Sequence, residues 1–105
     1  MQRARLTAVG LEADLAFEPD APELTAPVRD QVLVAVEACG VCHRDLLDRT
    51  GRFPFLRTPV TPGHEAVGRV VAVGPATSKW QVGDRVATMH RDHCGRCAPC
   101  EAGEV

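Results

Sequence analysis

Apolar and polar residues alternate along this chain in short blocks, and the blocks change period once. Arg3 to Val9 alternates charged or polar with apolar side chains, the signature of a half-buried strand. Asp14 to Glu18 is a second, weaker strand pattern. Pro19 to Pro27 holds three prolines and several acids and reads as a loop. Gln31 to Ala38 is β-branched, apolar and of strand length. From Cys42 the spacing turns helical over His43 to Arg49, with a stop at Gly51. Phe53 to Gly63 carries Pro54, Pro59 and Pro62, each of which restrains itself and its predecessor, so this stretch is extended or turn-like. Glu65 to Val73 is the most apolar strand pattern and ends at Gly74-Pro75. Ala76 to Gln81 is a connection holding the single tryptophan, Trp80. Val82 to Arg85 turns into a last strand, Arg85 to Met89. His90 to Val105 shows no period. Short, closely spaced strands with one short helix predict a mainly β, barrel-like fold.

Composition narrows this picture without changing it. A chain of 105 residues makes one domain, burying roughly 65% of its unfolded surface. A net charge of −2 and a pI near 6.0 give no basic footprint for nucleic acid or an anionic membrane. No apolar run approaches the ~20 residues of a membrane span. The charged start Met1-Gln2-Arg3-Ala4-Arg5 is followed by no apolar signal segment. A cytoplasmic protein without nucleic-acid or membrane partners is expected. In a reducing compartment, five cysteines point to metal ligands, reactive thiols or core positions rather than disulfides. Cys39 ends an apolar strand and reads as a small buried side chain. No G-x-G-x-x-G opens a helix after a strand.

Two stretches carry candidate chemistry. Gly63-His64-Glu65-Ala66-Val67-Gly68 sets an imidazole beside a carboxylate, and Cys42-His43-Arg44-Asp45 lies upstream of it. Cys, His and Glu are the donor types that zinc accepts. Cys42 falls at the helix start, where backbone N–H groups and the helix dipole favour a thiolate. Alternation along an extended segment would point His64 and Glu65 to opposite sides, leaving one of them outside the metal shell. Asp45, one turn after Cys42, is placed to accept the spare N–H of His64. The competing reading of these residues is a buried thiol, a turn histidine and a surface acid.

Cys39-Gly40-Val41-Cys42-His43-Arg44-Asp45, Pro62-Gly63-His64-Glu65-Ala66-Val67-Gly68, Val73-Gly74-Pro75 and Val82-Gly83-Asp84-Arg85-Val86 occur in this order along the chain. Together they resemble the zinc-dependent alcohol dehydrogenases of the medium-chain dehydrogenase/reductase superfamily. The resemblance implies that residues 1–105 are the N-terminal portion of a catalytic domain with a GroES-like, partly open β-barrel and one or two short helices. It implies Cys42 and His64 as catalytic zinc ligands, Glu65 as the acid that joins or leaves the shell, and Asp45 as the partner of His64. The implied activity is hydride transfer between an alcohol or carbonyl and NAD or NADP, with zinc as Lewis acid, in a homo-oligomeric enzyme. The family's third protein ligand and its Rossmann cofactor domain fall outside these 105 residues, which alone are expected to be inactive. At Arg44, alcohol-oxidising members carry Ser or Thr as a proton relay; a guanidinium cannot relay, but offers a fork to phosphate or carboxylate. His43 matches a position where some members hold the cofactor pyrophosphate. A similar motif occurs in acryloyl-CoA reductase-like members, which reduce an activated C=C bond.

The second constellation is Cys94-Gly95-Arg96-Cys97-Ala98-Pro99-Cys100. Small residues between three thiols let the chain wrap one ion, but a structural zinc site takes four ligands. The resemblance supplies the fourth as a later cysteine, so that residues 90–105 read as a truncated structural-zinc loop. Water, His90 or His93 are other candidates to complete it. Two readings outside this enzyme class are a non-catalytic GroES-like zinc-binding module and a thiol redox sensor built on Cys94 to Cys100.

Overall fold

The computed structural model describes residues 1–89 and 94–103. Its elements in order are β1 (Arg3–Leu6), β2 (Leu15–Glu18), β3 (Val32–Gly40), α1 (His43–Thr50), β4 (Glu65–Val73), β5 (Arg85–Ala87) and α2 (Ala98–Glu101). The fold is mainly β, as the alternating blocks predict. The described strands form two separate sheets rather than a closed barrel: the antiparallel pair β1-β2, and the antiparallel order β3-β4-β5.

β1 and β2 pair from Arg3↔Glu18 to Leu6↔Leu15, and both Arg3 and Arg5 reach the Glu18 carboxylate. Beyond this hairpin, Leu6 exchanges both backbone hydrogen bonds with Val60, at 2.8 and 3.0 Å. That bridge fastens the small sheet to the proline-rich segment leading to His64. Leu6, 1% exposed, and Val70, also 1%, are the large side chains fully enclosed among the described residues. The core is therefore thin. Val41, Phe55 and Phe17 lie on the surface.

β3 and β4 pair from Val32↔Val73 to Gly40↔Glu65, with register shifts between Leu33 and Val34 and between Val36 and Ala38. These bulges bend β3, and the ladder runs two residues past the Ala38 limit expected from sequence. Cys39 is consequently a strand residue opposite Ala66, and it is exposed rather than buried. The apolar run preceding it marks β3 as a strand, but the described residues leave the Cys39 end of that strand uncovered. The last strand is shorter than expected, ending at Ala87 rather than Met89.

α1 starts and stops where the local chemistry requires. The Cys42 sulfur accepts the Arg44 N–H at 3.5 Å, and the Asp45 carboxylate accepts the Cys42 N–H at 2.9 Å, a capping box with sulfur in the hydroxyl's place. At the other end Gly51 adopts φ 81°, and the Gly51 and Arg52 N–H groups bond the carbonyls of Asp48 and Leu47. α2 is a single turn within the cysteine-rich stretch that showed no period, with Pro99 in its first turn. No helix among the described residues is long and apolar enough to cross a membrane.

Candidate metal centre

The loop between α1 and β4 returns the chain to the start of α1, and this closes a cavity of about 790 Å³. Its wall includes the polar side chains of Cys42, Arg44, Asp45, Asp48, His64 and Glu65 and the apolar ones of Leu6, Leu56, Val60, Ala87 and Met89. Polar donors thus meet an otherwise apolar pocket, the usual character of a small-molecule site.

One donor atom from each of Cys42, His64 and Glu65 lies within 4.8 Å of the other two. Alternation would have separated His64 from Glu65. It does not apply, because β4 begins only at Glu65 and Gly63 adopts φ 120°, which bends the chain at His64. His64 therefore leaves the strand direction, and its ring turns to the same side as the Glu65 carboxylate. Tetrahedral zinc with bonds of about 2.0–2.3 Å needs donors roughly 3.3–3.8 Å apart. A sulfur, a nitrogen and an oxygen within 4.8 Å fit that ion with a small contraction, and three protein donors leave one position open, as catalytic sites do.

Asp45 ties the two stretches together. One carboxylate oxygen caps the Cys42 N–H; the other stands 3.6 Å from Nδ1 of His64. That separation exceeds a hydrogen bond, so the contact is electrostatic as it stands. Both side chains are mostly shielded from solvent, at 17% and 25% exposure. Arg44 also lines the cavity, held in place through one of its five N–H donors and by an aromatic ring. Its Nε donates to Asp48 at 3.0 Å, and its guanidinium carbon sits 3.5 Å from the Phe53 ring centroid. His43 is exposed and not part of the cavity wall. The expected cofactor-binding pair is thus split between pocket and surface.

Cys94, Cys97 and Cys100 form a second cluster, again with sulfurs within 4.8 Å. Cys97 and Cys100 sulfurs are 3.2 Å apart, and those of Cys94 and Cys100 4.0 Å. The Arg96 N–H, then the Cys97 N–H, donate to the Cys94 sulfur and bring its pKa down to about 7. A hydrogen bond from the Cys97 thiol lowers Cys100 as well. Ready ionisation suits metal binding, since the thiolate is the ligand form. His90 and His93, the candidate completing donors, lie outside the described residues.

The sequence model of the "alcohol dehydrogenase GroES-like domain" matches residues 28–105. This chain belongs to that family. The alcohol dehydrogenase patD of Penicillium expansum is 47% identical over 85 residues, covering 76% of this chain and 24% of the relative. An acryloyl-coenzyme A reductase of Sulfurisphaera tokodaii is 37% identical over 78 residues, covering 74% and 23%. The solved structure of a thermostable alcohol dehydrogenase from Pyrobaculum aerophilum, bound to cobalt and zinc, superposes with a TM-score of 0.77 at 31% identity, covering 98% of this chain and 30% of that one. The chain spans about a quarter of the length of the curated relatives it matches.

Within this member of the alcohol dehydrogenase GroES-like family, two residues outside the candidate donor set lie against the cluster. Thr88 bonds the backbone on both sides of Glu65. Gly40 is the cross-strand partner of Glu65, and a Cβ there would run into the Glu65 carboxylate. The glycine in Cys39-Gly40-Val41-Cys42 is the signal that pointed there. Gly40→Ala is expected to fold normally, because the atom in the way ends a flexible side chain. It should swing the Glu65 carboxylate out of the cluster and weaken zinc affinity by roughly 10-fold, the lower end of what loss of a supporting contact costs. Zinc competition with a chromophoric chelator measures this; unchanged affinity would show that Glu65 is not a ligand.

Proposed function

We propose that these residues are the N-terminal portion of the catalytic domain of a zinc-dependent, NAD(P)-dependent alcohol dehydrogenase or carbonyl reductase. The observation that carries the proposal is the convergence of Cys42, His64 and Glu65 in the lining of a mostly apolar cavity, with Asp45 beside the imidazole. Cys42 and His64 hold the catalytic zinc, and Glu65 is the third donor that this stretch can offer. When bound, zinc supplies Lewis acidity toward the oxygen of an alcohol or carbonyl substrate during hydride transfer.

The residues of this chain prepare that chemistry. Asp45 favours the proton on Nδ1 of His64 and so leaves Nε2 as the basic nitrogen. Leu6, Leu56 and Val60 add apolar side chains to the lining of the cavity that the donors share. His43 and Arg44 are the proposed contacts to cofactor or substrate phosphate. Cys94, Cys97 and Cys100 belong to a structural zinc site that needs a further donor. A cytoplasmic homo-oligomer acting on a small-molecule substrate, without nucleic-acid or membrane partners, completes the reading.

Arg44 favours a second reading within the same family. No hydroxyl stands at the relay position, and the acryloyl-coenzyme A reductase of S. tokodaii is among the relatives. Reduction of an activated C=C bond in an anionic thioester substrate needs no alcohol proton relay. NAD(P)H oxidation by the protein that carries these residues, compared between a simple aldehyde and an enoyl-CoA thioester, separates the two. No turnover with either, together with no zinc at Cys42 and His64, would sink both in favour of a non-catalytic module.

A further inference from the structure

Thr88 stands immediately after β5, where the direct ladder to β4 ends at the pair Val67↔Ala87. Its hydroxyl does what the next strand residue's backbone would otherwise do. Thr88 Oγ1 donates to the His64 carbonyl at 2.8 Å and accepts from the Ala66 N–H at 3.1 Å. Its own N–H donates to the Ala66 carbonyl at 2.9 Å. One side chain therefore bonds the backbone on both sides of Glu65.

We propose that Thr88 is a positioning residue of the metal centre: its hydroxyl sets the backbone of His64 relative to Ala66 and thereby aims the imidazole and the Glu65 carboxylate at one point. The inference rests on the metal reading given above. His64 lies in neither helix nor strand, directly after the bend at Gly63. Asp45 touches its ring, but Thr88 holds its backbone. A hydroxyl can donate and accept at once, which is what bridging a carbonyl and an N–H requires. Serine shares this capacity; valine, of the same shape, has neither function. Thr88 is exposed, so water can satisfy the groups that valine abandons. The fold then survives while the angle between the two donors loosens.

The test uses this chain carrying Cys94→Ser, Cys97→Ser and Cys100→Ser, so that cobalt(II) reports the first cluster alone through its thiolate charge-transfer band. In that background Thr88→Val should weaken cobalt binding roughly 10-fold and change the band shape, with the metal-free melting temperature little altered. Thr88→Ser should restore both to within about twofold, well inside that loss. Equal affinity for Thr88→Val and the parent, or a serine variant as weak as the valine one, overturns the proposal. If the parent itself gives no cobalt band, the metal reading fails. The Thr88 inference is then decided by the His64 imidazole resonances of the metal-free chain. Movement in Thr88→Val but not in Thr88→Ser supports it, and no movement in either overturns it.

Discussion

Cys42→Ser is expected to abolish metal binding at the first cluster while leaving α1 as well capped as before. The two jobs of Cys42 are separable by this one change. As a cap, its sulfur accepts the Arg44 N–H at 3.5 Å, and its backbone N–H is held by Asp45 at 2.9 Å. Serine is among the preferred capping residues, so the helix keeps or gains about 0.5 kcal/mol relative to the thiol. As a donor, serine stays un-ionised near neutrality and offers zinc a poor ligand where cysteine offers a thiolate. Affinity should fall by more than about 100-fold, beyond what losing a supporting contact produces. The cobalt charge-transfer band in the serine background of Cys94, Cys97 and Cys100 reads the loss; the far-ultraviolet dichroism and melting temperature read the retained fold. A variant that keeps the thiolate band would remove Cys42 from the site. An unfolded variant would show instead that the sulfur's packing, not its chemistry, explains its place.

The elements legible in the sequence are those whose cause is local. β3 and β4 announce themselves by β-branched runs, and α1 by a period change between a capping position and Gly51. Which strand edges meet is not local. Alternation in Arg3 to Val9 cannot reveal that, among the described residues, β1 pairs with β2 and meets the proline-rich segment through the Leu6↔Val60 bridge. The same limit applies at the site. Donor types and order pointed to Cys42, His64 and Glu65, with the resemblance supplying their roles, and the structure brings those donors together. The rule that sent His64 and Glu65 to opposite faces failed because one glycine with φ 120° precedes them. α2 stayed hidden because cysteine, glycine and proline mask the period of so short a helix. Thr88 was silent because a threonine after a strand is ordinary; its meaning lies in a partner 24 residues away.

Gly68→Ala should destabilise the chain more than a change at any other glycine near the site. Gly68 lies at the middle of the three-stranded sheet, opposite Val36 on one side and Val86 on the other. Its backbone is ordinary extended chain, so conformational strain is not the issue. Space is. A Cβ would run into the carbonyl oxygen of Ala35, with Val34 Cγ1 at 2.8 Å and the Ala35 carbonyl carbon at 2.9 Å. At Gly40 the obstacle is a carboxylate that can rotate away; at Gly68 it is the backbone of a strand held by its ladder. β3 must move off β4 beside the bulge between Val36 and Ala38. Overpacking of this kind costs about 1–3 kcal/mol, and a domain of this size loses roughly 4–8 °C of melting temperature per kcal/mol. With Leu6, Ala21 and Val70 as its buried apolar side chains, the described core has little reserve to absorb that loss. Thermal unfolding followed by dichroism should place Gly68→Ala about 10 °C or more below the parent, and Gly40→Ala within a few degrees of it. The ladder that is pushed apart pairs β3 with β4, and β4 carries His64 at its entrance, so zinc affinity should fall with stability in Gly68→Ala and without it in Gly40→Ala. Equal melting temperatures for the two variants would mean that β3 and β4 do not meet in the register that brings Gly40 opposite Glu65.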